Sequence, residues 1–320
     1  MYPMKMVPAF KDYLWGGTQL VEQYGKRTIM RPVAESWEIS CHPDGQSAVT
    51  NGAFAGQPLA QVLQQHPDMV GENAGGLNEF PILVKLIDAK QSLSVQVHPD
   101  DDYAKRVENQ LGKNEMWYVV DAEPGATLVI GCDPTVSKEE LRERAENNTL
   151  MDVVNTIPVK AGDCSQIHAG MLHAIGAGVL IAEIQQSSNV TYRFYDFGRL
   201  GVDGKPRPLH INRALDVINQ DLQAENLAEN LQIRQHNGYT SAKLSNWQYF
   251  ETVLLEVQTN ASLHCGTQSF QGLLVLDGDI VLVWNEEEVL PLCKGESVFV
   301  PAGLGGYCLQ GTGKLLLINL

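Results

Sequence analysis

The chain has 320 residues, 38 of them acidic and 23 basic, and a formal charge of −15 at pH 7. That acidity argues against a nucleic-acid partner, which demands a basic face, and no stretch approaches the roughly 20 apolar residues of a membrane-spanning helix. The length suits two domains with a large core. The N-terminus, Met1 to Met6, shows no secretory pattern. Cys41, Cys132, Cys164, Cys265, Cys293 and Cys308 lack CxxC spacing, so they read as reduced thiols of a cytoplasmic protein.

Glycine-punctuated runs of Val, Ile, Leu and aromatic residues predict a mainly β fold with inserted helices. The first helix is expected over Pro58–Gln65, with proline at an early position. Leu93 to His98 alternates as a strand, so Gln96 and His98 share one face. Pro99 to Asp102 reads as a turn. Glu115 opens the strand-like run Met116 to Val120, and Ala126 to Ile130 forms another. Ser137-Lys138-Glu139-Glu140 is a capping box and predicts a helix continuing from Leu141 to Ile157. His173 lies in a third β-rich region, before the strand Gly178 to Ala182. Asn212 to Leu222 is a further helical stretch, Gln220 to Gln235 a polar connection between domains, and Phe270 to Trp284 a long β run. A weak internal repeat lays Gly162–His173 against Gly295–Gly306, and Glu115–Asp121 against Gln271–Asp277. His173 then matches Gly306 and Glu115 matches Gln271, so only the first half is expected to hold a metal.

Two imidazoles, a carboxylate and an amide oxygen (His98, His173, Glu115 and Gln96) have the composition of a zinc shell with one position open for chemistry. Each also has a plainer reading. Gln96 and His98 are then polar residues on a solvent-facing strand, Glu115 a surface glutamate, and His173 a hydrogen-bonded core histidine. Yet a charged group directly before an apolar strand needs a partner if that strand faces inward. His168 competes as a ligand, but its counterpart is Pro301, which marks it as a turn residue near the site. His42 reads as a turn histidine, while His66, His210, His236 and His264 have no evident partner. Glu183 is either a proton shuttle beside the metal or the partner of Arg193 in an internal ion pair. Lys85, Lys90, Lys113 and Arg193 are near enough in sequence to concentrate positive charge for an anionic substrate. There is no Walker or dinucleotide loop and no Gly-x-Ser-x-Gly elbow.

Ser36-Trp37-Glu38-Ile39-Ser40, Leu93-Ser94-Val95-Gln96-Val97-His98-Pro99-Asp100 and Lys113-Asn114-Glu115-Met116-Trp117 resemble class I mannose-6-phosphate isomerases, in their short bacterial form. His173-Ala174, Glu183 and Arg193-Phe194-Tyr195-Asp196 extend the resemblance, which runs from Trp15-Gly16-Gly17 into the C-terminal region. It implies zinc ligands at Gln96, His98, Glu115 and His173, with one Zn²⁺ per chain. Substrate or phosphate contacts fall on Lys85, Ser94 and Lys113, an active-site arginine on Arg193 and a proton-transferring carboxylate on Glu183. The implied fold is two cupin-type jelly rolls. Residues 1–235 form the catalytic domain, with helical insertions near 58–75 and 137–157, and residues 240–320 a second cupin-like domain lacking metal ligands. His168 departs from the proline usual in cupin turns.

The implied activity interconverts D-mannose 6-phosphate and D-fructose 6-phosphate through a cis-enediol(ate), acting on a small sugar phosphate as a monomer or homodimer. Two other functions compete. One is a metal-dependent cupin oxidoreductase such as a dioxygenase, against which Gln96 counts because such centres use more histidines. The other is a sugar-phosphate sensor without catalysis.

Overall fold

The computed structural model describes residues 1–75, 79–201, 204–225, 231–285 and 288–320. Among them the chain is mainly β and forms three antiparallel sheets. A six-stranded sheet runs in the order Cys164–Ile167, Glu115–Ala122, Val179–Gln186, Ile82–Ala89, Glu35–Ile39, Ala9–Lys11. A five-stranded sheet runs Tyr192–Tyr195, Val95–Val97, His173–Ile175, Thr127–Cys132, Val154–Pro158. The third, ten-stranded sheet is built from the C-terminal strands and joined by Met4–Val7 and Ala48–Val49.

The site owes its position to the two-residue period of a strand. All eight residues of Ile82–Ala89 are buried, because both faces of the six-stranded sheet are covered. Ile82, Val84 and Leu86 enter a core shared with Leu274, Leu316 and Ile318 of the ten-stranded sheet. The opposite face looks toward the five-stranded sheet. There Ile87, Trp117, Val119 and Ile181 pack with Leu128, Ile130 and Ile175. Along the same inner face Lys85 pairs across strands with Glu183, and Glu183 with Trp117. The space between the sheets is therefore apolar at one end and charged at the other.

Four local expectations change. The helix Lys138–Glu146 starts as predicted, with Ser137 Oγ accepting from Glu140 N at 3.1 Å, but it does not continue to Ile157. Asn148 takes φ 60°, a short 3₁₀ turn follows at Leu150–Asp152, and Val154–Pro158 is a strand. The β-branched residues of that strand outweigh the helical spacing. The acidic run at Pro99–Asp102 is not a turn alone. Asp100 Oδ1 accepts from Tyr103 N at 2.8 Å and caps the helix Asp101–Val107. The helix at Leu59–Gln65 agrees with its prediction, whereas the one expected over 212–222 spans Ile211–Val217. The connection expected over Gln220–Gln235 includes 226–230, which lie outside the described residues, and ends in the exposed strand Ile233–Gln235.

The strands of the internal repeat share one register. Glu115 faces Ile167 as Gln271 faces Val300, and Gly162 and Gly295 both sit at positive φ, 96° and 85°. Gly306, however, is not the side-chain counterpart of His173. A Cβ on Gly306 would meet nothing within 4 Å, and its cross-strand partner His264 is exposed. The neighbouring Tyr307 points inward, buried, and donates to Gln271 Oε1 at 2.7 Å. A tyrosine–glutamine pair thus stands on the inner face of the C-terminal strands.

A buried polar seam joins the N-terminal strands to the C-terminal ones. Lys26 pairs with Glu38 at 2.5 Å and donates to Gly295 O. Ser36 and Ser297 donate to the same carboxylate at 2.6 and 3.0 Å.

Candidate metal centre and active-site cleft

His98, Glu115 and His173 converge, with one ligand atom from each lying within 4.8 Å of the others, all three residues buried. The strands explain the meeting. Gln96 is paired in register with His173, and Glu115 begins the strand that borders Val179–Gln186. His98 Nδ1 lies 2.9 Å from Val190 O and His173 Nδ1 lies 2.8 Å from Met171 O. A carbonyl only accepts, so both rings donate Nδ1–H and turn the Nε2 lone pair inward. The two Nε2 atoms are 3.1 Å apart, and His98 Nε2 lies 3.2 Å from Glu115 Oε1. Glu115 Oε2 is buried without a hydrogen-bond partner. Two facing lone pairs beside an orphaned carboxylate oxygen are what a divalent cation satisfies. Gln96 Nε2 is 3.4 Å from His173 Nε2, and a half-turn of that amide presents Oε1 to the same point.

Electrostatics favour the ligand forms. Burial, aided by the Lys113 ammonium, pushes the His98 imidazole down to about 3, and burial lowers His173 too. Burial by itself would raise Glu115, but the Lys113 ammonium beside it holds it well below the usual carboxylate range. Both imidazoles are therefore neutral and the carboxylate ionised at neutral pH. Lys113 bonds Glu115 Oε1 and lies 3.2 Å from His98 Nε2.

Beside this cluster opens a cleft of about 290 Å³ lined by Gln96, Lys85, Ser94, Lys113, Glu183 and Arg193. Every residue to which the resemblance assigns a role thus meets the cluster or the cleft. Of the two readings of Glu183, the ion pair with Arg193 does not form. Glu183 Oε1 lies 3.0 Å from Lys85 Nζ, and its Oε2 accepts from Trp117 Nε1 at 2.9 Å. Arg193 donates to Pro208 O at 2.9 Å, while its buried Nε has no partner. Lys90 stands away from the site, exposed and paired with Glu123 at 3.3 Å.

The cleft also holds residues that local sequence patterns miss: Tyr13, Trp15, Glu35, Asn189, Thr191 and Arg207. Glu35 and Arg207 are ordinary surface types brought in by sheet pairing and a loop. Arg207 forks onto Asp196 at 2.5 and 2.7 Å, and Arg199 reaches the same carboxylate at 3.1 Å. His168 stacks edge-on against Trp247 at 4.7 Å instead of entering the cluster. His210, without an evident partner in the sequence, accepts from Arg193 N at 3.2 Å.

Known proteins are similar to this chain in sequence and share its fold. The family profile "Phosphomannose isomerase type I, catalytic domain" matches residues 4–130, and "Mannose-6-phosphate isomerase, cupin domain" matches residues 240–320. Mannose-6-phosphate isomerase ManA of Bacillus subtilis is 34% identical over 319 residues, covering 99% of each chain. A mannose-6-phosphate isomerase of Streptococcus mutans is 43% identical over 216 residues, 68% of this chain and 67% of its own. The crystal structure of the Bacillus subtilis mannose 6-phosphate isomerase superposes with a TM-score of 0.93 at 31% identity, covering all of both chains. With a relative so alike from end to end and a centre of this composition, the chain belongs to the mannose-6-phosphate isomerase family and is an aldose–ketose isomerase.

Proposed function

We propose that the protein is a zinc-dependent isomerase that interconverts D-mannose 6-phosphate and D-fructose 6-phosphate by proton transfer through a cis-enediol(ate). The observation that carries this reading is the buried His98–Glu115–His173 cluster next to Gln96 and Lys113, which line a cleft with further cations and the Glu183 carboxylate. Gln96, His98, Glu115 and His173 hold the ion. A bound Zn²⁺ supplies Lewis-acid stabilisation of the negative charge that builds on substrate oxygen.

The chain's own residues do the rest. Glu183, anchored by Trp117, takes the proton from one carbon and returns it to its neighbour. Lys113, Ser94 and Arg193, which share the cleft, orient the phosphorylated substrate and turn binding energy into position. Lys85 already faces Glu183 and Glu35, so it serves the reacting end of the sugar better than a phosphate. Arg193, with an unpartnered buried Nε, has donor capacity to spare for the anion.

Around this centre we assign residues 1–235 to a catalytic jelly roll with inserted helices. Residues 240–320 form a second cupin-like domain without metal ligands. The inward pair Tyr307–Gln271 supports that division. All six cysteines are unpaired, which suits a reducing compartment, and we place the enzyme in the cytoplasm. The purified protein with Zn²⁺ should convert mannose 6-phosphate, and chelation should stop it. Oxygen uptake without isomerisation, or substrate binding without product, contradicts the assignment. Glu183→Gln with its metal retained and near-normal turnover removes the proposed base.

A further inference from the structure

Glu183 is not the only carboxylate facing Lys85. From the strand on the other side of Lys85's own, Glu35 Oε2 lies 3.8 Å from Nζ. The two acids are held alike: Trp117 Nε1 donates to Glu183 at 2.9 Å, and Trp37 Nε1 donates to Glu35 at 2.6 Å. Lys85 Nζ also stands 5.0 Å from the centroid of the Trp37 ring. The side chains of Lys85 and Glu183 are each 4% exposed and that of Glu35 is 10% exposed. Glu35 and Glu183 both line the cleft. One buried ammonium is therefore shared by two tryptophan-anchored carboxylates, only one of which the reaction uses.

We propose that Glu35 is a positioning residue that supplies the standing counter-charge for Lys85 while Glu183 is protonated in mid-reaction. The inference rests on the isomerase reading given above. When Glu183 accepts the proton from the substrate carbon, the C–H bond breaks and its electron pair enters the enediol(ate). Glu183 becomes a neutral acid, and Lys85 loses its nearer partner. A buried ammonium left alone is costly, so without Glu35 the lysine would hold Glu183 in its ionised form and oppose the transfer. With Glu35 in place, Lys85 stays paired through both halves of the cycle, and Glu183 returns the proton to the neighbouring carbon. Burial disfavours the Lys85 charge, but Glu183 and Glu35 together hold its pKa above the ordinary lysine value, which agrees with a lysine charged throughout.

The test compares wild type, Glu35→Gln and Glu35→Asp as zinc-loaded enzymes, using mannose 6-phosphate with and without deuterium at C2. Glutamine still accepts from Trp37 but carries no charge. For it kcat should fall about 10- to 100-fold with KM and metal content near wild type, and the deuterium isotope effect on kcat should rise as proton transfer becomes limiting. Aspartate keeps the charge, and its kcat should stay within about threefold of wild type. An unchanged isotope effect in the glutamine variant, or a loss confined to KM or to metal content, overturns the inference. If the glutamine variant does not fold, an equally deep loss of kcat in a folded aspartate variant does so. Wild type that fails to isomerise sinks the isomerase reading itself, a different outcome from wild type that turns over while Glu35→Gln matches it.

Discussion

Asn114 ties together the segments that carry the proposed metal ligands, and removing its amide should weaken the centre without touching any of them. The residue directly precedes Glu115. Its Nδ2 donates to Gln186 Oε1 at 2.8 Å, and its Oδ1 accepts from Ala169 N at 2.9 Å, in the loop leading to His173. Gly170 N in the same loop donates to His98 O at 2.8 Å, so three ligand-bearing segments meet around one side chain. Asn114→Ala deletes two hydrogen bonds and leaves the Ala169 N–H without its partner. Each buried group so stranded costs about 1–3 kcal/mol, and Ala169 is only half buried, which puts the total stability loss at about 2–4 kcal/mol. Losing an outer-shell support lowers metal affinity about 10- to 100-fold, equivalent to about 1.4–2.8 kcal/mol. Urea unfolding gives the first quantity, and competition with a chelator for Zn²⁺ or Co²⁺ gives the second. A variant that loses stability yet binds metal within twofold of wild type refutes the clamp.

Other changes separate the remaining parts. Arg193→Ala should raise KM for the phosphorylated sugar by about 10- to 100-fold through loss of a charge-assisted contact, with a smaller change in kcat; steady-state kinetics decide it. Lys26→Met strands the Glu38 carboxylate at the seam between the N- and C-terminal strands, with a cost of about 3–5 kcal/mol moderated by Ser36 and Ser297. Adding Glu38→Leu should recover most of that loss in denaturant unfolding, and a double variant no better than the single contradicts it. The metal-free protein should lose stability as pH falls through the window from about 6.5 to about 3. The folded His98 imidazole is depressed to about 3, so over that range the unfolded chain binds the extra proton and stability rises with pH. The slope for this group approaches about 1.4 kcal/mol per pH unit, His173 acts in the same direction, and apo-protein melting at constant salt across this range measures it.

The candidate metal-binding residues are legible in the sequence because strand alternation and side-chain chemistry mark them locally. Gln96 and His98 are two apart on a strand, and Glu115 stands where an apolar run begins. The Glu183–Arg193 choice is not legible, since the true partner of Glu183 is set by cross-strand pairing with Lys85, which no local pattern encodes. Glu35 and Arg207 are hidden for the same reason. A capping box announces where the helix at Lys138 begins, but its end depends on Asn148 adopting a left-handed conformation and on the β-branched residues after it. Pro99-Asp100-Asp101-Asp102 satisfies both a turn and an N-cap, and only the residues that follow decide between them. In the C-terminal repeat a match of one glycine to one histidine misses strand parity, because Leu263, the partner of Tyr307, packs on the core while His264, opposite Gly306, faces outward.

Anomalous scattering at the zinc edge, on crystals of protein that isomerises mannose 6-phosphate, tests the central claim most directly. One ion per chain is expected, about 2.0–2.2 Å from His98 Nε2, His173 Nε2, a Glu115 oxygen and Gln96 Oε1. Active protein with no ion between these four side chains, or with its ion bound elsewhere, would contradict it.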